Sequence, residues 1–155
     1  MINLKDIWYN IKYGIKNLFT YFVIIWKDRD FDSYYIFILL RKKLEIMAKM
    51  FERRDRYEGV EKDVKRMKFC IKCLDRLIED DYFSSELEKK WGEYKFIADD
   101  SDNILFSREK IKTKEDQIQY DKEFREFVER ASNYKERDLK LLFRVLEKYI
   151  EYWWD

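Results

Sequence analysis

Apolar residues recur at steps of three and four along almost the whole chain, the spacing of one face of an α-helix. From Asn3 to Trp26 the face carries Leu4, Ile7, Trp8, Ile11, Ile15, Leu18, Phe19, Phe22 and Val23. Gly14 lies inside this segment and weakens it by about 1 kcal/mol relative to alanine. Trp8, Tyr9 and Tyr13 make it aromatic on more than one side. The aspartate-rich run from Trp26 to Ser33 then interrupts the period. Asp32 or Ser33 is the expected N-cap of the next helix, because a short oxygen side chain accepts from the free N–H groups of a first turn.

That second helix is expected to reach about Arg56. Phe37, Leu40, Leu44, Met47, Ala48 and Phe51 form its apolar stripe, and Arg41, Lys42, Lys43, Lys49, Arg53, Arg54 and Arg56 its polar flank. A break at Glu58-Gly59 follows. From Val60 to about Asp80 the residues Val60, Val64, Met67, Ile71, Leu74 and Ile78 keep the alternating four-and-three spacing of a bundle seam. Ser85-Glu-Leu-Glu88 reads as a capping box opening a short helix with Leu87, Trp91 and Tyr94. Ala98 to Asn103 reads as an acidic loop. Thr113-x-x-Asp116 opens a helix with Ile118, Phe124, Phe127, Val128 and Ala131, and a final helix carries Leu139, Leu142, Phe143, Leu146, Ile150 and Trp153. No segment shows a convincing two-residue alternation. The pattern predicts an all-α fold, a single domain over 1–155 built as a bundle of five to six helices, and an oligomer of such bundles.

Composition narrows the chemistry. The 155 residues include no histidine, no proline and three glycines. Without histidine there is no imidazole base, no Ser-His-Asp or Cys-His arrangement and no His-containing metal site. Three glycines leave no room for a phosphate-binding glycine loop. The formal charge of +1 argues against broad nucleic-acid binding, so no DNA partner is expected. The charge is unevenly spread, however. Residues 1–77 hold 18 Lys and Arg against 11 Asp and Glu, a net of +7, while residues 78–155 hold 15 against 21, a net of −6. The first half therefore has the charge for a local anion site, unless the two halves simply neutralise each other. The longest uncharged stretch, Asn17 to Trp26, is ten residues. A bilayer span needs about 20, so none is expected. With no small-residue cleavage site after that stretch, a soluble cytoplasmic protein is the default.

Five features carry candidate chemistry. Cys70-Ile-Lys-Cys73 is a C-x-x-C, but one pair without histidine does not close a four-ligand zinc site in a monomer, and a mid-helix position does not suit a thioredoxin-type motif. Buried thiols beside the apolar seam are the plainer reading. Asp28-x-Asp30-x-Asp32 begins like a calcium loop, then lacks the glycine and terminal glutamate that such a loop requires. Magnesium on these three carboxylates, serving phosphodiester hydrolysis, competes with the plainer reading that they complement a helix dipole. Glu79-Asp80-Asp81 and the 99–102 acids offer paired carboxylates, whose use as acid and base needs a raised pKa. Trp26, Phe31, Tyr34 and Tyr35 beside Arg29, Arg41, Lys42 and the Arg53-Arg54-Asp55-Arg56 cluster combine rings that stack on bases with cations that meet phosphate. Against this stands an aromatic core with a solvated basic face. Last, the first helix sets Lys5, Lys12, Lys16 and Lys27 against Asp6, a composition suited to a membrane surface. Burial in the bundle core is the expected role.

The run Trp26-Lys-Asp-Arg-Asp-Phe-Asp32 followed by Tyr34-Tyr35 and Leu44-x-x-Met47, the stretch Cys70 to Tyr82, and the closing Asp138-Leu-x-Leu-Leu-Phe143 and Ile150-x-x-Trp153-Trp154-Asp155 resemble a family of small phage-encoded helical proteins. Phe31 takes the place of a tryptophan expected in many relatives. The resemblance implies action by binding rather than catalysis, in the host cytoplasm. One such class is similar to sponges that sequester the signalling nucleotides of bacterial immunity, compact oligomers with basic, aromatic pockets.

The leading expectation is thus a non-enzymatic, cofactor-free and metal-free binder of a small anionic, nucleotide-type ligand. Trp26, Tyr34 or Tyr35 would stack on the base. Arg29, Arg41, Lys42 and Arg53 would meet phosphate, and Asp30 or Asp32 would accept from a ribose hydroxyl or amino group. The alternatives are a helical module that docks on and inhibits a host protein, and the metal-dependent phosphodiesterase on Asp28, Asp30 and Asp32.

Overall fold

The computed structural model describes residues 4–29, 34–54, 59–98 and 104–153. In chain order these form α1 (Leu4–Lys27), α2 (Tyr34–Arg54), α3 (Val60–Glu79), α4 (Ser84–Trp91), β1 (Tyr94–Ala98), β2 (Ile104–Arg108), α5 (Lys114–Tyr149) and a 3₁₀ turn (Ile150–Tyr152). The fold is all-α, with one small antiparallel hairpin.

The main core lies where α2, α3, the C-terminal half of α5 and the last turn meet. Leu44, Ala48 and Phe51 of α2 face Met67, Cys70, Cys73, Leu74 and Leu77 of α3, and Leu142, Leu146 and Trp153 close the third side. The expected α3 seam is rotated slightly. Ile71 and Ile78 are only part-buried at its edge, while Cys70, Cys73 and Leu77 take the centre. Gly59 starts α3 at φ +93°, a left-handed conformation that glycine adopts without steric cost.

One charged cluster ties α3 to α5. Asp138 is 0% exposed, in register with Leu142 and Leu146 on the buried stripe of α5. Arg76 of α3 grips both its oxygens, Nε donating to Oδ2 at 2.6 Å and Nη2 to Oδ1 at 2.9 Å, and the Tyr82 hydroxyl donates to Oδ2 at 3.2 Å. The Arg76 hydrogen bonds hold the Asp138 carboxyl below its ordinary range despite burial. Burial beside that carboxylate pushes the Tyr82 phenol up to about 12.

A smaller cluster joins α4 and the hairpin to the N-terminal half of α5. Leu87, Trp91 and Tyr120 are buried there, with Ile111 and Phe127 against them. Arg108 anchors the hairpin: its guanidinium lies 3.6 Å from the centroid of the Tyr94 ring, and Nη1 donates to the Gly92 carbonyl at 3.0 Å. Glu123 accepts from Lys90 Nζ at 2.6 Å and from Trp91 Nε1 and Gln119 Nε2, each at 2.9 Å. These donors, Lys90 first, hold its carboxyl down to about 2.

Several expectations need correction. The two C-terminal helices are one helix of 36 residues. No glycine or proline interrupts it, and exposed Ser132 and Asn133 are tolerated at mid-helix. The short helix after Ser84 stops at Trp91, and Tyr94 begins β1, paired with Arg108. The hairpin brackets the expected acidic loop, whose residues 99–103 lie outside the described residues. The capping box at Thr113 and Asp116 is present. The one at Ser85 is not: Asp81 Oδ1 instead accepts from the Ser84 N–H at 2.9 Å, one turn earlier. The Asp32 or Ser33 cap and the approach to Arg56 also lie outside the described residues.

The largest departure is α1. None of its 24 residues is buried. Its main neighbour is α2, and its only part-buried residues are Thr20, Tyr21 and Ile24. At about 100° per residue Thr20 and Ile24 lie on the far side from the Leu4-Ile11-Ile15-Leu18-Phe22 stripe, and Tyr21 lies about a quarter-turn from its centre. The helix therefore touches the body with its less apolar face. The expected place in the core is already filled by α3 and α5.

Because Asp138 is buried and Arg76 is its main partner, Arg76→Ala is expected to cost about 3 kcal/mol in a denaturant titration, since it strands a buried carboxylate. The Asp138 pKa is lowered in the fold. Its stabilisation is therefore full above the unfolded value of about 4 and is lost as pH falls through the lower folded value. Asp138→Asn should flatten the decline of stability with acid below about pH 4.

Candidate functional site

The aromatic and basic residues singled out above start at the end of α1 and run the length of α2. Trp26 is 72% exposed and stacks on Phe22, centroids 5.5 Å apart at 28°. Arg29 is exposed two residues beyond α1, and its Nη1 donates to the Asp28 carbonyl at 3.2 Å. Tyr34 and Tyr35 open α2 and pack edge to face, 5.6 Å apart at 89°. Asp30 and Asp32 lie outside the described residues, so the three-aspartate pattern is described only at Asp28.

Along α2 the cations separate. Arg41 bonds Asp75 of α3 through Nε and pairs with Glu45 at 2.8 Å through Nη1. Lys42 reaches the same Glu45 at 3.9 Å. Both cations thus serve contacts within the body, and the phosphate role expected of them competes with these carboxylates. Arg53 is exposed near the far end of the helix, twelve residues beyond Arg41, or about 18 Å along the axis. Trp26 and Arg29 are three positions apart in sequence, and Tyr34 packs against Tyr35. It does not draw Arg41, Lys42 and Arg53 into one pocket with them.

The remaining motifs find structural places. Cys70 and Cys73 are fully buried in the main core. Burial, then the neighbouring Cys73, pushes the Cys70 thiol up to about 12. Asp80 pairs with Lys135 at 2.8 Å and Asp81 caps α4, so the two acids after α3 fix a chain reversal. Among the described residues no group of three or more acidic or cysteine side chains is placed to hold a metal.

A groove of about 550 Å³ lies between α2 and the last turn. Leu40, Lys43, Met47 and Met50 form one wall, and Ile150, Glu151 and Trp153 the other. Trp153 is 4% exposed, and its indole N–H has no acceptor. Sequence spacing placed Trp153 on the core stripe and gave no sign of that donor.

The feature that spacing did reveal, but assigned to the core, is the apolar face of α1. Its large apolar and aromatic side chains are exposed by 41% at Ile7 to 82% at Leu4. Soluble monomers rarely leave so continuous an apolar strip uncovered. Lys5, Lys12, Lys16 and Lys27 each follow a strip residue by one position, which puts all four on one flank. Comparison with family models, with curated proteins and with solved structures finds no match.

The buried thiols give a direct check on the C-x-x-C. Alkylation by iodoacetamide at pH 8 is expected to be negligible in the folded protein and complete in denaturant, because the thiolate is the reacting form. Fast labelling of either cysteine in the native state would place the pair at an accessible site.

Proposed function

We propose that this is a non-catalytic binding protein whose working element is α1. One observation supports the reading: α1 meets the body through Thr20, Tyr21 and Ile24 and turns its apolar face away from it. An amphipathic helix gains most of its stability from covering that face. Here the body does not cover it, so a partner must. This favours the docking-module alternative over a pocket on α2, where Arg41 and Lys42 already bond carboxylates.

The double substitution Ile11→Glu/Leu18→Glu separates docking from core packing. On this reading it abolishes binding of an apolar reporter dye, while thermal unfolding of the body shifts by no more than about 2 °C, as for surface changes. A drop of ten degrees or more would place α1 against the body in solution and remove the proposal.

A narrower reading keeps a nucleotide-type ligand. It is favoured by the exposure of both the Trp26 indole and, three positions on in sequence, Arg29, a ring and a cation of the kind that hold a base and a phosphate. Calorimetric titration with cyclic and ADP-ribose-type nucleotides should then give saturable heat that Trp26→Ala removes. Absence of heat across the panel would end the sponge reading.

A further inference from the structure

We propose that α1 docks on an anionic lipid surface, lying in the headgroup layer with its apolar face toward the acyl chains; this rests on α1 being the docking element.

The distribution of side chains around the helix carries the argument. Leu4, Ile11, Ile15, Leu18 and Phe22 form the centre of the strip. On one edge of it Trp8, Phe19 and Trp26 share a narrow arc, and the lysines occupy the next. Large aromatics between an apolar face and a row of lysines match the order of a bilayer interface: acyl chains, then the level at which indoles settle, then phosphates. Lysine stems are long enough to run along the apolar layer while the ammonium reaches the headgroups. Trp8 and Trp26 are eighteen residues apart, five full turns, so both indoles sit on one line and reach the same depth.

Orientation agrees with this. The body attaches on the side of Thr20 and Ile24, opposite the strip, so a membrane meeting the strip would not collide with α2 at that contact. Lying flat rather than crossing is also required, since no helix among the described residues is long and apolar enough to span a membrane.

Charge selects lipid over a second copy of the chain. α1 contains four lysines and one acid, Asp6, which lies on the far side of the helix from the strip. An antiparallel pairing of two α1 strips would set lysine flank beside lysine flank, and a parallel one would set it beside the Gly14 and Ile25 edge, with no carboxylate between in either case. Phosphodiester headgroups supply the missing negative charge.

The test is flotation of the full chain with phosphatidylcholine vesicles, with and without phosphatidylglycerol, alongside sedimentation without lipid. The wild type should float with the anionic vesicles, be released by high salt, and show a blue shift of tryptophan emission. Lys12→Gln/Lys16→Gln should weaken anionic binding roughly 30-fold. Ile11→Glu/Leu18→Glu should abolish it with helical content of the body retained. No flotation of the wild type, or flotation indifferent to the Ile11→Glu/Leu18→Glu change, overturns the lipid proposal. If the wild type fails to float but self-associates, and that self-association is lost in Ile11→Glu/Leu18→Glu, the strip belongs to a second copy. The docking reading would then stand without the lipid.

Discussion

The body depends on one fully buried carboxylate. Asp138 sits on the inward stripe of α5, where a charge without partners would be excluded. Arg76 answers it with two hydrogen bonds in the planar geometry suited to a carboxylate, and Tyr82 adds a third. This sets the relation of α3 to α5 more narrowly than apolar packing, which accepts many rotations. α2 then packs along α3, bringing Leu44, Ala48 and Phe51 into the same core. The turn that carries Tyr82 is drawn in by the same cluster. Its position fixes where Asp81 caps α4, and from there the hairpin follows.

That order of dependence explains why α1 is left outside. Three helical elements and the Trp153 turn complete the main core, and Arg108 with Glu123 completes the smaller one. The buried residues of both clusters come from the body, and none from α1. The groove beside Trp153 is an apolar concavity on α2, and Lys43 and Glu151 stand among its lining residues. The chain thus divides its apolar residues between the packed body and an exposed strip on α1.

Much of the fold was legible because helical spacing is local. The α2 and α3 stripes and the Thr113 cap follow from residues within a turn or two of one another. The hairpin was not legible: each strand has five residues and little alternation, and the pairing of Tyr94 with Arg108 joins positions fourteen apart. The unity of α5 was hidden because Lys135 and Asp138 stand where the apolar stripe would continue between Ala131 and Leu142, although the inward positions run on at steps of three and four. The Arg41–Glu45 pair was readable in principle from its four-residue spacing, and it bears on the basic cluster expected along α2. Asp138 also left a trace, as an acid four residues before Leu142 on an otherwise apolar stripe. What periodicity could not say is what covers an apolar face. It identified the α1 strip correctly and assigned it to the wrong environment.

The slender attachment of α1 also has a thermodynamic side. A helix in a protein takes most of its stability from tertiary packing, and with Thr20, Tyr21 and Ile24 as its part-buried residues the body lends α1 little cooperativity. Its hydrogen-bonded turns should open and close nearly independently of α3 and α5, at the low end of the protein's range of local stability. Whatever covers the strip must then supply the free energy of ordering α1 as well as that of contact. The observed affinity would be lower than the apolar area implies, and it would respond to helix propensity at positions that touch nothing, Gly14 first among them.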